Sequence, residues 1–257
     1  GHCGRGGAAF ALRPTPEGDQ IVLRHGPRTM PVLYTHLIPA TFGGKARMNV
    51  ANALAAAAAT WAAGAHLHDI RQGLRTFTTS FFQAPGRLNL VEVAGVRVVI
   101  DYCHNVDGMR HLADFVNRMM LENGVRAGRA IGVIGVPGDR RDEDMRDYGG
   151  LAATAFDEIV VREDRNLRGR VAAETATHVL EGIRRARADG ARTTKAQKIL
   201  DEMTAVRAAL RRASPGDLLV MCVDDAIAVY KETMAAAGHG LGITAFADPG
   251  EMEAPEG

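Results

Sequence analysis

The sequence has no apolar run approaching the roughly 20 residues that a membrane-spanning helix needs, so no membrane span is expected. Cysteine is scarce. Cys3, Cys103 and Cys222 are odd in number, scattered and never at C-x-x-C spacing, which argues against a disulfide framework or a zinc site. The plain reading is reduced thiols in a cytoplasmic protein. An excess of either charge is also missing. The 31 basic residues against 30 acidic ones leave a net charge of +1, which gives no reason to expect nucleic acid or an acidic membrane as partner. No signal peptide opens the chain, no internal repeat is visible, and no metal-ligand cluster stands out. Two phosphate-binding fingerprints are absent as well. Gly43, Gly44 and Lys45 lack the G-x-x-x-x-G-K-[ST] spacing, and Gly132, Gly135 and Gly138 do not match G-x-G-x-x-G. Beginning at Gly1 and His2 rather than methionine, the sequence reads as a fragment of something longer.

What is present is a strand–helix alternation. Short strands are expected at 8–12, 21–23 and 29–33, separated by turn signals at Gly18 and at Gly26-Pro27. A loop at 38–46 leads into an alanine-rich helix at 48–62 that carries Trp61, the single tryptophan and most simply a packing residue. A second helix follows at 68–77. Pro85 and Gly86 mark the expected domain boundary. Beyond them the β-branched run at 96–102 ends abruptly at Asp101, Tyr102, His104 and Asn105. A helical pattern follows, with Met109, Leu112, Phe115, Val116 and Met119 three or four apart. The strand at 130–136 repeats the scheme and ends at Pro137, Gly138, Asp139 and Arg140. Further strands are expected at 88–93, 158–162, 197–200 and 218–223, the one near Ile199 carrying the weakest signal. Helices are expected at 107–123, 142–155, 171–188, 202–213 and 225–237. This is an α/β fold with a mostly parallel sheet covered on both faces, its first hairpin open to being antiparallel. Ligands of such sheets lie beyond the carboxyl ends of the strands. The tail at 248–257 is acidic, rich in proline and glycine, and expected to be disordered.

Each polar cluster at a strand end admits two readings. Asp101, His104 and Asn105 can bind ribose hydroxyls and phosphate, or simply form the turn that starts a helix. Arg140 can clamp a carboxylate or phosphate, whereas the run from Arg141 to Asp144 can equally be a solvated first helical turn with acidic residues set by the dipole. The mixed cluster from Arg162 to Arg165 can recognise a charged small molecule or be a solvated loop. His66 and His68 read as surface residues rather than metal ligands.

Four stretches together resemble the Mur ligase superfamily, and within it most closely the Mur-ligase-like half of the cyanophycin synthetases. They are IPATFGGKARMNVANALAA (38–56), APGRLNL (84–90), VVIDYCHNVDGM (98–109) and GVPGDRRDEDMRDYGGLAATAFDEIVVREDRNLRGR (135–170). The resemblance implies a Rossmann-like C-terminal domain at 86–247, preceded at 1–85 by the incomplete end of the central ATPase domain. It implies ATP-dependent amide-bond formation through an acyl phosphate, joining arginine to the β-carboxylate of a backbone aspartate. The partners so implied are ATP, arginine or an aspartate–arginine dipeptide, and an aspartate-backbone polymer, in a protein that is homo-oligomeric at full length. Magnesium is implied too, with ligands upstream of this sequence.

Carried over residue by residue, Asn49 and Asn52 lie against the nucleotide base, and Arg87 reaches its phosphates or ribose. Asp101 meets the ribose hydroxyls, with His104 and Asn105 completing that loop. Arg87 and His104 are the expected catalytic residues. Asp139 and Arg140 belong near the incoming amino acid, with Asp142, Asp144, Glu163 or Asp164 as acceptors for a guanidinium. The sequence departs from the pattern at Met48, where many Mur ligases have histidine, and at Cys103, where alanine is commoner. A GKGHE-like segment is replaced by Met221 to Asp225, and without a P-loop the chain is not expected to turn over ATP alone. Two rivals remain: another Mur-type ligase related to folylpolyglutamate synthases, and a degenerate Mur-like module serving binding or assembly.

Overall fold

The computed structural model describes residues 7–238. The tail at 248–257 lies outside them. Contacts divide the chain into two units, Gly1–Thr78 and Thr79–Gly257. The division falls ahead of the Pro85-Gly86 signal because buried Asn89 gathers the preceding segment. Its side-chain amide donates to the carbonyls of Thr79 (2.8 Å) and Ala84 (2.9 Å), and its Oδ1 accepts from the Gly86 N–H (2.6 Å).

In the first unit, β1 (Ala8–Thr15), β2 (Gly18–His25) and β3 (Arg28–Tyr34) form an antiparallel meander. Pro31 is tolerated because β3 lies at a sheet edge, opposite a register shift at Ile21 and Val22. The helices α1 (Arg47–Ala62) and α2 (Leu67–Thr76) follow. Ile21, Leu23, Val32, Leu33, Ile38 and Ala53 form a small core, with Trp61 packed against it and edge-on to Phe10.

The second unit holds a six-stranded sheet. Its strands are β4 (Asn89–Val93), β5 (Val96–Asp101), β8 (Ala130–Ile134), β9 (Glu158–Val161), β10 (Lys195–Lys198) and β11 (Leu218–Cys222), in the order β10-β9-β8-β11-β5-β4. Every neighbouring pair is parallel except β4 with β5. The fold is therefore α/β with a mostly parallel sheet. The sheet carries α3 (Val106–Met119), α4 (Asp142–Ala155), α5 (Glu174–Ala188), α6 (Glu202–Leu210) and α7 (Ala226–Gly238). Alternate strand residues point to alternate faces. Val98, Ile100, Ile131, Val133, Leu219 and Met221 face Ala205, Val206, Ala209 and Val229 of α6 and α7. The other face is covered by α3, α4 and α5, which bury Leu112, Phe115, Met145, Ala152, Val179 and Ile183. α4 and α5 approach closely at Gly149 and Gly182. A Cβ on Gly182 would stand 1.8 Å from the Arg146 carbonyl oxygen.

Several boundaries differ from the sequence reading. α3 stops at Met119 because Asn123 and Gly124, with φ of 50° and 80°, make a tight hairpin between β6 (Leu121–Glu122) and β7 (Val125–Arg126). α5 starts at Glu174 because Ala173 is left-handed, with φ of 70°. The weakly signalled strand near Ile199 is β10, and its Lys195 and Lys198 are exposed on a sheet edge, which discourages pairing with another chain.

Candidate functional site

Parallel register aligns the carboxyl ends of the central strands. Cys222 pairs with Asp101, Met221 with Val133, and Ile134 with Val161. The loops after β5 and β8 therefore leave one edge together, and between them lies a cleft of about 420 Å³. Its walls are His104, Asn105, Val106 and Asp107 on one side and Val136, Arg140, Asp144 and Tyr148 on the other.

The loop after β5 is held by its own backbone. Asp101 Oδ1 accepts from the Cys103 N–H (2.7 Å) and Oδ2 from the Leu88 N–H (2.9 Å). Burial pushes its carboxyl above the ordinary value. Those two N–H groups and the nearby charges of Arg87 and His104 only partly offset the rise. Asn105 caps α3, accepting from the Gly108 N–H at 2.7 Å, so the turn reading is realised in its bonds. His104 Nδ1 lies 3.0 Å from the Tyr102 carbonyl oxygen. A carbonyl can only accept, so Nδ1 carries a proton, which in the neutral tautomer leaves Nε2 as the acceptor. The Tyr102 ring lies between two partners. His104 is tilted against it at 4.8 Å, and the exposed guanidinium of Arg87 stands over it at 5.8 Å.

The loop after β8 is a tight turn seated on the segment that follows β9. A Cβ on Gly138 would lie 2.1 Å from the Leu167 carbonyl oxygen, so the close approach requires glycine. Arg170 straps the turn down by donating to the carbonyls of Gly138 (2.7 Å) and Arg140 (2.8 Å). Asp139 is bonded by Arg168 at 2.9 Å. Arg140 reaches the cleft with its Nε fully buried and without a hydrogen-bond partner among the described residues. Asp144 accepts a two-pronged bond from Arg141, with N–O distances of 2.7 and 2.9 Å. That fork is the first cause of its lowered carboxyl pKa.

The other expected acceptors are engaged elsewhere. Glu163, 6% exposed, caps the start of α5, accepting from the Ala173 N–H and the Thr175 hydroxyl, both at 2.8 Å. Asp164 closes a local turn onto the Asn166 N–H. Asp142 pairs with Arg170 at 2.8 Å. With Glu174 and His178 it forms a group whose ligand atoms lie within 4.8 Å of one another. Arg170 also binds Glu174, at 2.6 Å, so an arginine already holds those carboxylates together. In the first unit, Asn49 ties α1 to the turn before it by donating to the Ala40 carbonyl (2.6 Å), and Asn52 is exposed beside it.

Sequence reasoning missed the framework under this edge. Arg162, 3% exposed, donates to the Cys222 carbonyl and forks onto Asp224 at 2.7 and 3.0 Å. Buried Glu202 lies 3.5 Å from it and accepts from the Asp224 and Asp225 N–H groups. The Tyr148 hydroxyl donates to the Cys103 carbonyl at 3.1 Å. Burial raises the pKa of Tyr148, and the Cys103 thiol together with burial raises that of Cys222, which keeps both groups neutral and inert.

Residues 86–222 match the family profile described as the Mur ligase, glutamate ligase domain. The chain is similar to the cyanophycin synthetase of Synechocystis sp., at 40% identity over 205 residues, covering 80% of this chain and 22% of that protein. It is similar to that of Crocosphaera subtropica at 38% identity over 207 residues, with the same coverage of 80% and 22%. It thus spans 22% of the length of these curated relatives. In fold it is similar to E. coli FolC in complex with ADP, with a TM-score of 0.61 and 21% identity, over 90% of this chain and 47% of that one. No helix among the described residues is long and apolar enough to cross a membrane. The chain belongs to the Mur ligase family and carries its glutamate ligase domain.

Proposed function

We propose that this chain is part of an ATP-dependent amide-bond-forming ligase of the cyanophycin synthetase type, which joins arginine to the β-carboxylate of an aspartate in a polymer backbone. The observation that carries the reading is the shared cleft. One wall is the loop that the family resemblance assigns to the nucleotide, and the other is the loop it assigns to the incoming amino acid. In such a ligase the aspartate carboxylate attacks the γ-phosphate of ATP, releasing ADP and leaving an acyl phosphate. The amine of arginine then attacks the acyl carbon and phosphate leaves.

The residues of this chain fit those charges. Arg87 is exposed and carries a cation suited to phosphate oxygens, with Tyr102 holding its guanidinium plane. Asp101, whose two oxygens each accept one N–H, has lone pairs to spare for ribose hydroxyls. His104 lines the cleft with Nδ1 tied to the Tyr102 carbonyl, which leaves Nε2 to accept the proton that the attacking ammonium must lose. The buried Nε of Arg140, without a hydrogen-bond partner among the described residues, would gain one from a carboxylate of arginine. On this reading the residues ahead of Pro85 belong to the central ATPase domain, where Asn49 and Asn52 meet the base. Magnesium and a P-loop act from outside this sequence, and this chain alone does not turn over ATP. A cytoplasmic setting goes with it, in line with the buried, unbridged Cys103 and Cys222.

The test is nucleotide binding. Titrating the protein with an ATP analogue and magnesium should show saturable binding that Arg87→Ala weakens by about tenfold or more, the worth of one charge-assisted contact. Equal affinity in the two proteins would overturn the nucleotide assignment. In the full-length protein, phosphate release stimulated by glutamate rather than arginine would favour a folylpolyglutamate-type ligase.

A further inference from the structure

We infer that Arg141 is an internal stand-in for the guanidinium of the amino-acid substrate. Asp144 is the selecting carboxylate, and Arg141 occupies it until the substrate displaces it. The inference rests on the cleft reading above and deepens it.

Of the four carboxylates that the sequence offers for a guanidinium, Asp144 alone lines the cleft; the other cleft carboxylate, Asp107, stands on the opposite wall from Arg140 and pairs with Arg110 on its own helix at 2.9 Å. Glu163 is buried and turned onto the start of α5, Asp142 is bound by Arg170, and Asp164 closes its own turn. Asp144 is already shown in the bonding state that a guanidinium substrate would impose, with Nε and one terminal nitrogen of Arg141 on its two oxygens. The arm that makes this fork comes from solvent. The Arg141 side chain is 82% exposed against 28% for Asp144, and no other side-chain bond holds it among the described residues. Arg140, the preceding residue, reaches into the same cleft with an unused Nε donor.

The cleft therefore offers two complementary ends. Arg140 is a cation with an unused Nε donor and only a loose 3.9 Å contact to Asp139, and Asp144 is a carboxylate held by a surface arm that gives way cheaply, because an exposed pair of this kind is worth little. An α-amino acid with a guanidinium side chain meets both ends at once, with its carboxylate on Arg140 and its fork on Asp144. A lysine side chain, a point charge, replaces only one of the two bonds. Arg141 then acts as a built-in competitor. It lowers apparent affinity for the substrate and keeps Asp144 paired when the cleft is empty.

The experiment titrates the protein with L-arginine, L-citrulline and L-lysine, following backbone amides of α4 and the side-chain Nε–H signals by NMR. Arginine should bind saturably and ahead of both analogues, and the Arg141 Nε–H signal should shift as its fork is released. Arg141→Ala should tighten arginine binding by about two- to fivefold, the reach of an exposed ion pair. Asp144→Asn should abolish the preference for arginine over citrulline, with helix content by circular dichroism as the folding control and Asp144→Glu restoring part of the preference. An unchanged arginine affinity in Arg141→Ala, or no saturable arginine binding to the unaltered protein, would overturn the inference. Nucleotide binding is read separately. If it persists while the arginine predictions fail, this inference falls and the ligase reading stands. The reverse pattern would sink the ligase reading alone.

Discussion

The loop after β8 and the loop after β9 leave the same sheet edge with similar residues, Asp139, Arg140, Arg141 and Asp142 in one, Arg162, Glu163, Asp164 and Arg165 in the other. In the second, every strong bond is spent internally. Arg162 is saturated by Cys222 and Asp224, and Glu163 by Ala173 and Thr175. In the first, Arg140 has a donor left over and Asp144 is held only by an arm from solvent. Charge at a strand end marks a site when its bonding capacity is unspent, and a girder when it is spent. Arg162 is the girder. It braces β9 against the end of β11, and Glu202 braces the turn into α7.

The sharpest way to break this comparison is a matched pair of substitutions. Arg162→Met should cost about 3–5 kcal/mol of stability, because it leaves Glu202 and Asp224 facing each other without their cation. Arg140→Met should stay within about 0.5 kcal/mol, as for a side chain outside the supporting network. Urea unfolding of both proteins measures this, and equal losses would erase the distinction between girder and site. A smaller effect is expected where the two loops touch. Gly138→Ala places a Cβ against the Leu167 carbonyl and should cost about 1–3 kcal/mol while loosening the cleft wall. An unchanged denaturation midpoint would show that the turn is not seated there.

The smallest effects come from pH and carry opposite signs at the two ends of the sheet. At the carboxyl edge, burial raises Asp101, so the folded state holds its proton more tightly than the unfolded chain does. That contribution to stability is present below the ordinary 3.8 and fades as pH rises through the raised value. At the opposite edge, burial alone would raise Asp217, but the Arg129 fork and the Ser214 and Arg129 N–H groups outweigh it and lower the pKa. Its contribution is present above 3.8 and fades as pH falls through the lowered value. Thermal unfolding followed against pH should therefore flatten in opposite directions in Asp101→Asn and Asp217→Asn. Parallel changes would contradict the opposed environments.

Much of the architecture was readable because it is periodic. The β-branched runs of β5 and β8, the three-four spacing of α3 and the acidic first turn of α4 are patterns a single chain displays. The β6–β7 hairpin has a strong turn signal in Asn123-Gly124, but the apolar spacing of α3 runs on into it and masks it. What remained hidden depends on burial and on distant partners. Nothing local says that Arg162 is 3% exposed, that Glu202 receives the Asp224 N–H from 22 residues away, or that Asn89 folds the preceding loop onto itself through main-chain carbonyls. Among the candidate site residues, resemblance supplied chemical roles. Bonding then separated Asp144 from Glu163, which carry the same charge in sequence.

The order of the sheet has a consequence for how the molecule is made. β11 fills the slot between β8 and β5, yet among the described strands it is the last to be synthesised. Until Leu218–Cys222 emerge, β5 with β4 and β8 with its neighbours are two half-sheets with bare hydrogen-bonding edges facing an unfilled gap. A nascent chain stalled before that point carries both halves of the cleft's floor and no seam to join them. Insertion of the central strand is then the event that turns two exposed sticky edges into one surface, and a folding aid is needed most in the interval before it.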